Sequence, residues 1–123
     1  MIDKIIEGIK YRFNEETLTA EVIQKEGYEG DIIIPETVVF EKVAYRVTCI
    51  GDDAFRDCSS LTSIVIPDSV TSIGELAFVR CSSLTSITFN GTIEQWKKII
   101  LHEDWNDEFP INVIHCTDGD VEI

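Results

Sequence analysis

A stretch of 23 residues is written twice in succession. Residues 47–69 read VTCIGDDAFRDCSSLTSIVIPDS and residues 70–92 read VTSIGELAFVRCSSLTSITFNGT, identical at 13 of 23 positions with no gap. Self-similarity at such a period marks a stacked repeat, because a unit this small cannot bury its own apolar edge and must share it with a neighbour. Two copies share one interface and leave two raw ends, so the flanks must supply caps.

Within a copy, Leu61, Ile64 and Ile66 match Leu84, Ile87 and Phe89. Ile64 and Ile66 alternate with Ser63 and Val65, the period of a strand with one buried face. Pro67 closes that strand, since it has no amide to give to a ladder. Val70 and Ile73 predict a second short extended piece ending at Gly74, where the chain needs a positive φ or a close approach. ELAFVRC sets Ala77, Phe78 and Cys81 at i, i+1 and i+4, predicting one helical turn that aims all three inward.

On the N-terminal side, residues 10–24 read as a hairpin turning around Asn14 and Glu15, with Leu18, Ala20 and Val22 alternating with polar residues. DIIIPETV at 31–38 matches SIVIPDSV at 63–70, a degenerate third copy. Its offset of 32 exceeds the period by nine, and VFEKVAYR at 39–46 fits a hairpin inserted there, with Glu41-Lys42 at its tip. On the C-terminal side, Asn90-Gly91 predicts a turn. Thr92 three residues before Gln95 forms a capping-box pattern, and Trp96, Ile99 and Ile100 fall on one helical face. Trp105 and Phe109 follow in an acidic loop. Ile111, Val113 and His115 are assigned to a last strand, with a tight turn at Asp118-Gly119 before Val121 and Ile123.

The strings IGDDAFRDCSSLTSIVIP and IGELAFVRCSSLTSITF resemble the BspA-like leucine-rich repeats of bacteria. Leu61, Ile64, Ile66 and Pro67 stand where that family has its strand, followed by Ile73-Gly74, Ala77-Phe78 and Cys81. Tyr45-Arg46-Val47, the stretch from Asn90 to Trp96 and the HCTDGD tail from His115 are similar as well, so the resemblance covers residues 17–123. The second copy departs from it at Asn90, where the strand-closing proline is missing, which supports a cap beginning there. The resemblance implies a mixed α/β, β-rich fold: a short leucine-rich-repeat solenoid with an N-terminal β-hairpin cap and a C-terminal helix-plus-strand cap. A single domain over 1–123 follows, with hairpins and the degenerate repeat in 1–46, two repeats in 47–92 and the cap in 93–123. It also implies a curved stack with a concave strand ladder, repeats without catalytic activity, partners that are proteins, and a cell-surface or secreted setting.

Charge narrows the partners independently. With 23 acids against 10 bases the net charge is −13, which repels nucleic acid and anionic membrane surfaces. No run of 18 apolar residues exists to span a bilayer. The start, MIDKIIEGIKYRF, lacks the apolar stretch and cleavage site of a signal peptide, which leaves a cytosolic chain or one without its leader as the two readings. Cys58 and Cys81 hold the same place in consecutive copies, so they read, with Cys49 and Cys116, as free thiols in structural slots rather than bridges.

Candidate binding residues lie between the buried positions of the repeat strands: Thr62, Ser63 and Val65, and Thr85, Ser86 and Thr88. This small, hydroxyl-rich ladder suits a protein edge or a sugar, and equally suits an exposed strand with no ligand. Asp104, Asn106 and Glu108 offer oxygen ligands for calcium, but Phe109 stands where such a loop needs glycine. His115, Cys116 and Cys49 lack the paired short spacing of a zinc site. No nucleophile motif is present, and Asn90-Gly91-Thr92, formally a glycosylation acceptor, is already explained as turn and cap. No metal or cofactor is therefore expected. The leading expectation is a non-enzymatic module that binds a protein partner. The alternatives are a structural or weakly homo-oligomerising repeat with no ligand of its own, and an enzyme.

Overall fold

Short strands that alternate inward and outward side chains make up most of the chain. The computed structural model describes residues 1–123. In order it contains β1 (Ile2–Ile6), β2 (Ile9–Asn14), β3 (Thr19–Val22), β4 (Glu29–Ile33), β5 (Thr37–Phe40), β6 (Val43–Ile50), β7 (Ser60–Pro67), β8 (Ser72–Ile73), β9 (Ser86–Asn90), α1 (Ile93–Lys97), β10 (Ile100–Leu101), β11 (Val113–Cys116) and β12 (Gly119–Glu122). They form two sheets. The first runs β1-β2-β3-β6-β8-β10 with β5 paired to β6, and the second runs β12-β11-β9-β7-β4.

The parallel pairs β3–β6–β8–β10 and β4–β7–β9–β11 make a solenoid of about four coils. The doubled segment supplies the middle two. Residues 19–33 form the first coil and residues 99–116 the fourth. Antiparallel hairpins flank the stack: β1–β2 leads into β3, and β12 folds back on β11. The hairpin predicted within 39–46 is β5–β6, turning at Glu41 and Lys42, both at positive φ.

The predicted helical turn is not helical. Residues 51–58 and 74–81 are successive β-turns, with Asp53, Asp57, Leu76 and Arg80 at φ between 57° and 59°. A helical turn would aim its amides along its own axis. Here Asp53, Phe55 and Asp57 donate to the carbonyls of Glu75, Ala77 and Val79 of the next coil, at 2.8–2.9 Å. Leu76, Phe78 and Arg80 donate in the same way to Glu103, Trp105 and Asp107, at 2.9–3.3 Å. The acidic loop of the sequence reading is therefore the turn of the fourth coil, with Asp104 and Glu108 again left-handed. Ala77, Phe78 and Cys81 do point inward, each fully buried, and the Cys81 thiol donates to the Phe55 carbonyl at 3.0 Å.

One cluster of 28 buried residues, from Ile9 to Ile114, fills the space between the sheets and turns. An aromatic column runs through it. Tyr28 lies 4.7 Å from Phe55 and Phe55 stacks on Phe78 at 5.2 Å; Trp105 and Phe109 close around Phe78 at 6.3 and 6.2 Å. Phe13 joins the two N-terminal hairpins by stacking on Phe40 at 4.8 Å and tilting against Tyr45 at 4.7 Å. Each fully buried aromatic among them contributes about 1.5–3 kcal/mol by leaving water.

Two C-terminal expectations change. Thr92 caps α1 through the predicted capping box, and Trp96 and Ile99 are buried, but Ile100 is exposed in β10 because the helix ends before it. In β11 the inward residue is Ile114, so Val113 and His115 face outward, one residue out of phase with the predicted alternation.

Candidate functional site: the outer face of the second sheet

Leu61, Ile64 and Ile66 bury one side of β7 and leave three outward residues, one too many for strict alternation. The ladder absorbs the surplus: Gly30 pairs with Leu61 and Asp31 with Ser63, so Thr62 bulges. Gly30 carries this step at φ +67. Thr85 repeats the position and donates both its amide and its hydroxyl to the Thr62 carbonyl, at 2.8 and 3.0 Å.

Two rows cross the outer face. One is Asp31, Ser63 and Ser86. The other spans all five strands: Ile33, Val65, Thr88, His115 and Asp120. The six residues singled out from the sequence, Thr62, Ser63, Val65, Thr85, Ser86 and Thr88, thus lie on adjoining rungs of β7 and β9 or their bulges. Sequence reading missed the outer members. Asp31 accepts from the hydroxyls of Thr62 and Ser63, at 2.9 and 2.7 Å, and these bonds hold its carboxyl below the ordinary aspartate value. His115 Nδ1 lies 2.9 Å from Asp120 Oδ1. The signal for Asp31 was present, since the match of 31–38 to 63–70 already set it opposite Ser63.

Other candidates are dispersed. Asp104 and Glu108 occupy coil turns, and Glu108 lies 3.6 Å from Arg80, which also pairs with Asp57 at 2.6 Å. Cys49 belongs to the first sheet while His115 and Cys116 belong to the second, so they do not converge. The four thiols are unbridged. Burial and the Asp57 charge push Cys58 up to about 11, and burial foremost pushes Cys81 to about 12, which keeps both protonated and poorly nucleophilic at neutral pH. Cys58 borders a cleft of about 630 Å³, where Lys10, Lys25 and Arg56 are offset by Glu26, Glu29 and Asp57.

The family model for the BspA type Leucine rich repeat region (6 copies) matches residues 32–104, more than half of the chain. The chain belongs to the BspA-type leucine-rich repeat family. A leucine rich cell surface protein from Faecalibacterium prausnitzii A2-165 is 34% identical with a TM-score of 0.63, over 72% of this chain and 24% of that one. A leucine-rich repeat protein from Bacteroides ovatus ATCC 8483 is 37% identical with a TM-score of 0.64, over 72% and 23%. This BspA-type chain therefore spans about a quarter of the length of either. A leucine-rich repeat protein from Bacteroides capillosus ATCC 29799, 21% identical, shares the fold with a TM-score of 0.67 over 93% and 97%. No curated protein matches. The family and these neighbours are repeat proteins of non-enzymatic kinds.

Proposed function

We propose that this BspA-type chain is a non-enzymatic module that binds a protein partner across the outer face of its second sheet. The observation that carries this is the row Ile33, Val65, Thr88, His115 and Asp120, which runs over five strands with Ile33, His115 and Asp120 exposed and Val65 and Thr88 half-buried. Its centre is apolar or hydroxylic while the chain as a whole carries −13, so a partner meets little desolvated charge there. Five strands offer more contact than the two repeat strands alone, nearer the ~800 Å² per partner of an ordinary interface. The cell-surface relative supports an extracellular partner.

The test is capture of purified extracellular proteins on the immobilised chain, compared with a Thr85→Lys/Thr88→Lys variant of unchanged circular dichroism. Any specific capture is expected to fall at least tenfold in the variant. Capture that is unchanged removes this face from the binding account.

A further inference from the structure

The geometry points to a second docking site, at the edge of β4 rather than on the sheet face: a groove that takes an extended, basic peptide segment as an added strand. β4 ends its sheet, with β7 on one side and no strand on the other. Ile34 donates its amide to the Val65 carbonyl at 3.0 Å, so the amide and carbonyl of Ile33 are directed away from β7. They find no backbone partner elsewhere in the chain. A free amide and carbonyl on a sheet edge are the groups to which an added strand bonds.

A groove follows this edge. One part, about 380 Å³, lies between β4 and the β1–β2 turn at Glu7 and Gly8. It continues past Ile33 into a second part, about 300 Å³, walled by Ile6, Ile9, Pro35, Val38 and Val39. The two parts share Glu7, Ile9 and Ile33. Ile33 is 69% exposed and Val39 61%, so the lips of the groove are unburied hydrophobics. An incoming strand lies about 4.8 Å from β4 and alternates side chains between those lips and solvent.

Charge selects the occupant. Glu7, Glu29 and Asp31 border the groove, and Lys25 is its only cation. Lys25 is turned to the Tyr28 ring, at 4.7 Å, and to the Glu26 carbonyl, at 3.1 Å. A second copy of this chain brings another −13 to the same edge, whereas a segment alternating apolar with basic residues complements it. This site adjoins the face proposed above and shares Ile33 and Asp31 with it, but its hydrogen bonds come from the sheet edge, which the N-methylated peptides below probe separately.

The test uses a fluorescent seven-residue peptide alternating lysine and valine, titrated by anisotropy. Two further peptides carry N-methyl groups on alternate amides, one on each edge of the strand. The expected result is saturable binding, lost by at least tenfold for one N-methylated peptide and nearly kept for the other. Ile33→Lys, at an exposed site that leaves the fold intact, is expected to weaken binding by at least tenfold. Binding should also slow exchange of the Ile33 amide. No binding, equal binding of both N-methylated peptides, or binding indifferent to Ile33→Lys overturns the proposal. So does sedimentation showing a dimer that Ile33→Lys dissolves, which would make the occupant a second copy.

Discussion

Glu21 stands between Arg12 and Cys49 in a row that runs Asp3, Arg12, Glu21, Cys49 and Ser72 across the first sheet. Burial raises its carboxyl above the ordinary glutamate value, Arg12 pulls it back, and Asp52 and Asp3 push it up again. An acid raised on folding costs nothing below its unfolded-state value, costs more as pH climbs through the raised folded-state value, and carries its full penalty above that. Glu21→Gln is thus expected to raise the urea midpoint at pH 7 and to leave it unchanged near about pH 3, where both states hold the proton. A lowered midpoint at pH 7 contradicts the assignment. Asp31 has the opposite sign: its lowered carboxyl favours folding above the unfolded-state value, and that contribution fades as pH falls through the folded-state value. Glu21 does not stand out in the sequence, because its effect depends on a strand far along the chain, whereas the match of 31–38 to 63–70 already sets Asp31 opposite Ser63.

The repeat strands were legible and the coil turns at 51–58 and 74–81 were not. Ile64 and Ile66 alternate clearly, and the capping box at Thr92 and Gln95 is a local signal that the chain obeys. The spacing of Ala77, Phe78 and Cys81 suits a helical turn and a pair of β-turns alike; coil-to-coil hydrogen bonds decide between them, and those leave no trace in the pattern. The fourth coil was hidden by an exchange of volumes. In register with Ala77 and Cys81 it carries Trp105 and Phe109, while Asn106 stands under Phe78, so small-large-small becomes large-small-large. β1 escaped notice because Asp3 and Lys4 interrupt its apolar rhythm, although Gly8 marked its turn. Gly74 resolves in favour of close approach, as its φ is not positive. A Cβ there would lie 2.5 Å from Asp52 Oδ1 and 2.6 Å from the Gly51 carbonyl carbon. Gly74→Ala is expected to cost about 1–3 kcal/mol by urea denaturation, against less than about 0.5 kcal/mol for Ser82→Ala on the surface. Equal effects would mean that the coils can part at no cost.

Across the whole molecule, the column Tyr28, Phe55, Phe78 and Trp105 passes through every coil. A stack whose units touch only their neighbours can unfold piecemeal, but a shared aromatic spine couples them. Phe78→Ala is expected to remove about 3–5 kcal/mol, a large part of the 5–15 kcal/mol typical of a folded protein. Tryptophan fluorescence and far-ultraviolet circular dichroism should still report one coincident thermal transition, at a lower temperature. Separate transitions would show that the coils melt independently. The two inserted elements, β5–β6 and α1, leave the stack at the same corner, where the second sheet gives way to the first. In the intervening coil that corner is the short connection 68–71, turning at Asp68 and Ser69. Ser69 stands in the repeat where Thr92 caps the helix one coil later, and its buried hydroxyl has no partner. The corner is thus elaborated on either side and bare in this coil. A short helix grafted after Ser69 would give that hydroxyl an amide to hold and add a new recognition loop, while the ladders on either side kept their register.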